Sequence, residues 1–189
     1  MRLFIAVDLD DASRAAIAVL QKRIAVALDD SRSRVTWVKP DRMHLTLVFI
    51  GEVDDRRAPD VVAAVDRPVH SPPFEMVLEN AGTFPAAGAP RALWVGVSGG
   101  ARQLTDLQAE MARRVAALGI ALESRPFHPH LTLGRWKTSR SSDRRRALDA
   151  AKPGVVGRTR IDGATLYQSR ISSAGPTYTP LARATLSGL

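Results

Sequence analysis

The chain contains no cysteine. That excludes a disulfide framework, every cysteine-ligated zinc site and a thiol nucleophile. Lysine is also scarce: only four of the 27 basic residues are lysine and 23 are arginine. Long apolar runs are missing too. The N-terminal segment MRLFIAVDLDD is continuously apolar only from Leu3 to Val7, where Asp8 interrupts it. That is too short for the apolar core of a signal peptide or for a bilayer span. No glycine-rich phosphate loop follows this first apolar stretch, so a dinucleotide-binding fold has little support. The expectation is a soluble, cytoplasmic protein without membrane contact.

What is present is ordinary globular composition. The 189 residues are 45% hydrophobic and 24% charged. At roughly 100–200 residues per domain, this predicts one domain spanning residues 1–189. A chain of this length buries about 70% of its unfolded surface and needs no metal or disulfide to hold a core. The net charge of +8 favours a polyanionic partner, nucleic acid first. An arginine- and alanine-heavy chain also reflects biased genome composition, so charge alone decides nothing about mechanism.

Patterning predicts an α+β domain with mainly antiparallel pairing. Arg2–Leu9 reads as a central strand, apolar on both faces. Asp10, Asp11 and Ser13 offer helix-starting side chains, and Ile17, Leu20, Ile24 and Leu28 then recur at helical spacing. A polar turn is expected at Asp29–Arg34, a strand at Val35–Val38 ended by Lys39-Pro40, and a strand at His44–Ile50 closed by Gly51. A short helix over Asp60–Val65, opened by Pro59, precedes a strand at Phe74–Asn80, a loop at Gly82–Pro90 and a strand at Ala92–Val97. Leu104, Leu107, Met111, Val115 and Leu118 mark a helix with Gly119 at its C-cap. Phe127–Leu133 reads as a strand followed by a basic run, Arg135–Arg146. Short strands with a turn at Gly175-Pro176 complete the chain.

The informative feature is an internal repeat. His44-Leu45-Thr46-Leu47 recurs 86 positions later as His130-Leu131-Thr132-Leu133, and the chain has only four histidines. On a strand, alternate side chains share a face. His44 and Thr46 then face one way with the leucines behind them, and His130 and Thr132 do the same. One such pair alone is most simply a half-buried strand pair making local hydrogen bonds. Two copies with matching leucines argue for a site. Imidazole is a base and imidazolium an acid near neutral pH, and threonine hydroxyls donate to phosphate oxygens. A cleft holding one base, one acid and two such donors suits in-line phosphoester cleavage without a metal.

At these residues the chain resembles the two-histidine (2H) phosphoesterases, whose hallmark is a pair of HxTx motifs. It is most similar to the bacterial RNA 2′,3′-cyclic phosphodiesterases, the LigT-like or 2′-5′ RNA ligase-like proteins. The resemblance extends through MRLFIAVDL, HLTLVFIGEV, GTFPAAGAPRALWVGV, FHPHLTLGR and LYQSRISSAGPTYTPL. It implies a bilobal α+β fold in which two antiparallel-sheet lobes, related by a pseudo-twofold axis, each bring one HxTx strand to a central cleft. It also implies opening of a terminal 2′,3′-cyclic phosphate on RNA to a 2′-phosphate, with no metal or cofactor. His44 is then the proton donor to the departing 3′ oxygen and His130 the acceptor of the water proton, with Thr46 and Thr132 as phosphate ligands. Some relatives also join RNA ends through a 2′-5′ bond. The expected partner is RNA ending in a 2′,3′-cyclic phosphate, or a small cyclic nucleotide, bound by a monomer.

Arg135 has the opposite strand parity to Thr132, so it reaches the phosphate only if a β-bulge or bend falls near Gly134. The resemblance supports that role. The four arginines of Arg140–Arg146 offer RNA contacts but read more simply as a solvated helix face or a loop. Phe49 and Trp94 are assigned to the core rather than to base stacking, Trp37 is a further stacking candidate, and Tyr178 is placed near the cleft. His128 shares parity with His130, which raises a metal site built from His44, His128 and His130. No carboxylate has matching spacing, so His128 is read as structural. A non-catalytic RNA-binding protein is the remaining alternative.

Overall fold

The computed structural model describes residues 1–29, 32–172 and 175–188. The elements in chain order are β1 (Arg2–Asp8), α1 (Asp11–Leu28), β2 (Arg34–Trp37), a 3-10 turn (Pro40–Arg42), β3 (His44–Glu52), α2 (Ala58–Val65), β4 (Phe74–Phe84), β5 (Ala92–Gly99), α3 (Ala101–Ala116), β6 (His130–Thr138), α4 (Ser141–Ala151), β7 (Val155–Ile161), β8 (Gly163–Ser172) and β9 (Gly175–Thr185). The strands form two antiparallel sheets, ordered β3-β1-β8-β9 and β2-β6-β5-β4-β7. This is the antiparallel α+β architecture expected from the patterning, in the two lobes that the resemblance implied. Among the described residues, no helix is long and apolar enough to cross a membrane.

The two sheets repeat one another. β6, β5, β4 and β7 stand in the second sheet where β3, β1, β8 and β9 stand in the first, and β2 is an extra edge strand against β6. The helices exchange sides. α1 leaves β1 of the first sheet yet packs on β7 and on α4, which itself packs on β4. α3 leaves β5 of the second sheet yet packs on β3 of the first, beside α2. Each sheet is thus backed by a helix that follows a strand of the other sheet.

Helix starts follow local chemistry. The Asp10 carboxylate accepts the Ser13 N–H at 2.7 Å and caps α1, satisfying a donor that the first turn leaves free. The apolar stripe of α3 buries Leu104, Leu107, Met111 and Val115 as its period predicts. Arg114 of the same helix is buried as well. Its guanidinium donates to the Ala64, Val65, Arg67 and Pro68 carbonyls and pairs with Glu110 at 2.7 Å. It therefore satisfies carbonyls at and just beyond the C-terminus of α2.

Several boundaries differ from the sequence expectation, each for a physical reason. β4 runs on to Phe84 through the predicted loop, because Gly82 and Thr83 pair with Trp94 and Leu93 of β5. β3 continues past Gly51, which takes a left-handed φ of +84° within the strand. The strand expected from Phe127 begins only at His130: Pro129 has no N–H for a ladder, and pairing starts with His130 opposite Gly96. β6 then continues into the basic run because β2 pairs with Arg135 and Trp136. The rest of that run is helix α4. Arg144 donates to Thr83 Oγ1 at 3.1 Å and to the Pro85 and Gly88 carbonyls, so it secures the β4–β5 loop. Gly175 and Pro176 lie in β9 rather than in a turn. Residues 173 and 174, which connect β8 to β9, lie outside the described residues, as do 30 and 31 of the expected polar turn at 29–34.

Candidate active site

The repeated motif occupies equivalent strands. Val7 and Ala6 of β1 sit opposite Leu45 and Thr46, while Val95 and Trp94 of β5 sit opposite Leu131 and Thr132. Both pairings then slip by one residue at the same place. Ile5 is opposite Val48 where Ala6 is opposite Thr46, and Leu93 is opposite Gly134 where Trp94 is opposite Thr132. Leu47 and Leu133 are the extra residues, so each repeat contains a β-bulge.

The bulge reverses the alternation. His44, Thr46 and Phe49 leave the core on β3, and His130, Thr132 and Arg135 do so on β6. The residues between them, Leu45, Leu47 and Val48 or Leu131, Leu133 and Gly134, are buried. Arg135 therefore joins the Thr132 side of its strand, as the sequence required for it to act there. Phe49 is its counterpart on β3. It is 46% exposed, which overturns its assignment to the core. The sequence signal was available: Phe49 stands 86 positions before Arg135 in the same repeat.

β3 and β6 meet between the sheets, and a cavity of about 260 Å³ opens there. The first sheet contributes Arg2, Phe4, His44, Thr46, Phe49, Ser169 and Tyr178. Thr132 and Arg135 enter from β6, and Val38 from the segment after β2. Of the predicted residues, His44, Thr46, Thr132 and Arg135 thus share one cavity, and Tyr178 reaches it. His130 is not among the lining residues. It lies two positions before Thr132 on the same half-buried side of β6. A larger cavity of about 460 Å³, between α3 and residues 68–71, contains neither repeat.

Each imidazole is held on two sides. The His44 ring stacks on Phe4 at 4.7 Å between centroids and meets Tyr178 edge-on at 5.0 Å, with Tyr167 at 6.1 Å. The His130 ring meets Phe84 at 5.1 Å and Trp94 at 6.2 Å, both edge-on. Trp94 is therefore half-buried beside a histidine rather than in the core, and Trp37 packs against the core without lining the cavity. The His130 ring also bonds a backbone carbonyl two residues upstream, that of His128. His130 Nδ1 lies 2.6 Å from the His128 oxygen. A carbonyl only accepts, so Nδ1 donates and Nε2 keeps a lone pair when the ring is neutral. His128 thus contributes its backbone to this site. Its imidazole joins no cluster of three or more metal-ligating side chains among the described residues.

Charge breaks the symmetry between the repeats. Asp8 lies directly opposite His44, whereas Gly96 lies opposite His130. The Asp8 carboxylate accepts from Tyr167 Oη at 2.6 Å and from Thr165 Oγ1 at 3.0 Å. Burial pushes the His44 imidazole below its usual range. The Arg42 carbonyl and Asp8 oppose that shift, while Arg14 adds to it. Asp8 and Arg2 went unnoticed as site residues in the sequence, although they are the polar ends of one face of β1, four and two residues from Phe4 respectively.

Gly82 holds the second repeat by absence. A Cβ there would lie 2.2 Å from Trp94 Cη2, so the indole covers the glycine. Gly82→Ala should displace Trp94 from His130, lowering kcat and costing about 1–3 kcal/mol of stability. Urea unfolding and steady-state kinetics on the same variant check both effects.

Fold and site together define a two-lobed α+β protein that offers a histidine, two threonines and two arginines to one cavity. Known proteins share this fold along nearly the whole chain. The family model described as the 2′-5′ RNA ligase superfamily matches residues 9–170. An RNA 2′,3′-cyclic phosphodiesterase of Methanothermobacter thermautotrophicus is 34% identical over 185 residues, covering 96% of each chain. A solved protein of Thermus thermophilus superposes with a TM-score of 0.80 at 30% identity, covering 100% of this chain and 99% of the other. Escherichia coli LigT complexed with 3′-AMP superposes with a TM-score of 0.75 at 30% identity, covering 98% of each. The chain belongs to the 2′-5′ RNA ligase superfamily, among its LigT-like two-histidine phosphoesterases.

Proposed function

We propose that this enzyme hydrolyses the 2′,3′-cyclic phosphate at an RNA end to a 2′-phosphate. The observation that carries the reading is the meeting of two bulged His-x-Thr strands at one cavity, with Arg135 beside Thr132. Relatives named RNA 2′,3′-cyclic phosphodiesterase, which match most of the chain, support the substrate.

In this mechanism water attacks phosphorus in line with the P–O3′ bond, and His130 Nε2 takes the water proton. The P–O3′ bond breaks, and His44 gives its proton to O3′, leaving the phosphate on O2′. Thr46 and Thr132 donate to the non-bridging oxygens, and the Arg135 guanidinium offsets the charge that grows on them. No step passes through a metal or cofactor. Turnover leaves His44 neutral and His130 protonated, and exchange with solvent resets both. The same groups with a 5′-hydroxyl in place of water would form a 2′-5′ bond, the ligase direction that the superfamily's description names.

The Asp8/Gly96 asymmetry supports His44 as the acid, because the carboxylate favours the imidazolium. Asp8→Asn removes that support and lowers the His44 pKa. As an acid His44 must be protonated, so the basic limb of the kcat/KM pH profile should move to lower pH. Movement of the acidic limb instead would make His44 the base. Product analysis on a short RNA ending in a 2′,3′-cyclic phosphate tests the reaction itself. A 2′-phosphate product is expected, and no product, or a 3′-phosphate, would refute it.

A further inference from the structure

The two repeats share a scaffold, yet one carries a polar network that the other lacks. Near His44, Asp8 lies directly opposite on β1, and β1 pairs in turn with β8, where Thr165 is opposite Ala6 and Tyr167 is opposite Phe4. Near His130, Gly96 stands in the place of Asp8, while on β4 Gly82 is opposite Trp94 and Phe84 is opposite Ala92. The matching bulges align Ala6 with Trp94 and Phe4 with Ala92. Gly82 is therefore the counterpart of Thr165, and Phe84 the counterpart of Tyr167. Both histidines have an aromatic ring in that place, Tyr167 at 6.1 Å and Phe84 at 5.1 Å between centroids. At these positions the second repeat lacks the carboxylate and both hydroxyls.

Both hydroxyls are spent on the carboxylate. Tyr167 Oη donates to one Asp8 oxygen at 2.6 Å, and Thr165 Oγ1 donates to the other at 3.0 Å. Arg183, opposite Thr165 on β9, donates to Thr165 Oγ1 at 3.0 Å and stands 3.8 Å from the same Asp8 oxygen. Its place is empty in the second sheet, because the pairing of β7 with β4 stops at Glu79, short of Gly82. Donors and a cation around a carboxylate take up part of its charge, so less remains to favour a nearby imidazolium. The other charged or titratable groups facing His44 are Tyr178 from β9, Arg14 from α1, and Arg2 and Arg135 along the cavity wall. Arg14 is committed to the Leu9, Pro40 and Met43 carbonyls. Asp8 is the carboxylate of this set, and β8 governs how strongly it acts.

We propose that Tyr167 is a positioning residue: with Thr165 it turns the Asp8 carboxylate toward β8 and weakens its hold on the His44 imidazolium. Tyr167 does not line the cavity and acts through Asp8. A general acid must release its proton as well as hold it, and it works best when its affinity for that proton lies near the working pH. Asp8 keeps His44 protonated, and Tyr167 keeps it able to donate. That benefit to catalysis rests on the reading of His44 as proton donor, whereas the coupling itself does not.

The test reads His44 directly, by NMR titration of the imidazole signals of the four histidines, with His44→Ala identifying its own. Tyr167→Phe keeps the ring on Phe4 and removes only the hydroxyl. It should raise the His44 pKa by roughly half a unit, in the opposite sense to Asp8→Asn. Thr165→Val, which removes the other donor, should act in the same sense as Tyr167→Phe. In the Asp8→Asn background Tyr167→Phe should shift nothing, because the carboxylate it works through is gone. An unchanged or lowered pKa in Tyr167→Phe, or a rise that persists without Asp8, would overturn the proposal. The basic limb of the kcat/KM profile on a 2′,3′-cyclic phosphate end should move up with the pKa. A raised pKa without that movement would uphold the coupling and overturn the role of His44 as the acid.

Discussion

His44→Ala should lower kcat/KM on a 2′,3′-cyclic phosphate end by about 10²–10⁴-fold, the usual worth of a positioned proton donor. The departing O3′ is a poor leaving group unless it is protonated as the P–O3′ bond breaks. The loss should therefore depend on the leaving group. On an aryl phosphodiester that releases 4-nitrophenolate, which needs no proton, the variant should recover most of the wild-type rate. Stability should fall little, since the ring is only half-buried and lies against Phe4 and Tyr178 over the cavity rather than in the core. Equal losses on both substrates would remove His44 from the role of acid.

His130→Ala should cost a comparable 10²–10⁴-fold, with the opposite dependence. Its Nδ1–H is committed to the His128 carbonyl, which leaves Nε2 to accept the proton of the attacking water. A better leaving group does nothing for an unactivated nucleophile, so the 4-nitrophenyl substrate should not rescue this variant. Added imidazole, a base small enough for the space the ring leaves, should restore part of the rate. Rescue by the leaving group and not by imidazole would exchange the two roles. The two variants form a matched pair because the scaffold around them is nearly symmetric, and Asp8 opposite His44 is the main charge that separates them.

Much of this site was legible in one dimension. Strand alternation placed His44 with Thr46, and His130 with Thr132, away from the buried leucines behind them, and the structure keeps both pairs. Parity also required a bulge near Gly134 if Arg135 was to act beside Thr132, the role that the resemblance supported. What was missed follows from the same rule. Phe49 reads as core because aromatics at strand positions usually are, and strict parity, with no bulge foreseen at Leu47, offers nothing against that reading. A bulge depends on what pairs across the ladder, here β1, and not on the residues of β3 themselves. Gly82–Phe84 read as loop because glycine lowers strand propensity, yet Trp94 covers Gly82 and β5 completes the ladder. The Gly175-Pro176 pair read as a turn for similar local reasons, yet β8 pairs with both residues.

The sequence alone determined which side chains can do chemistry and which of them share a strand face, because alternation and helical period are local consequences of backbone geometry. It also determined membership of the family, through the repeat and its flanking segments. Only the tertiary structure decided that β3 and β6 meet, that Asp8 opposes one histidine and glycine the other, and that Arg2 and Tyr178 line the same cavity as Thr132 and Arg135. Those are long-range pairings, set by how two sheets and their exchanged helices pack together, and no local rule carries that information.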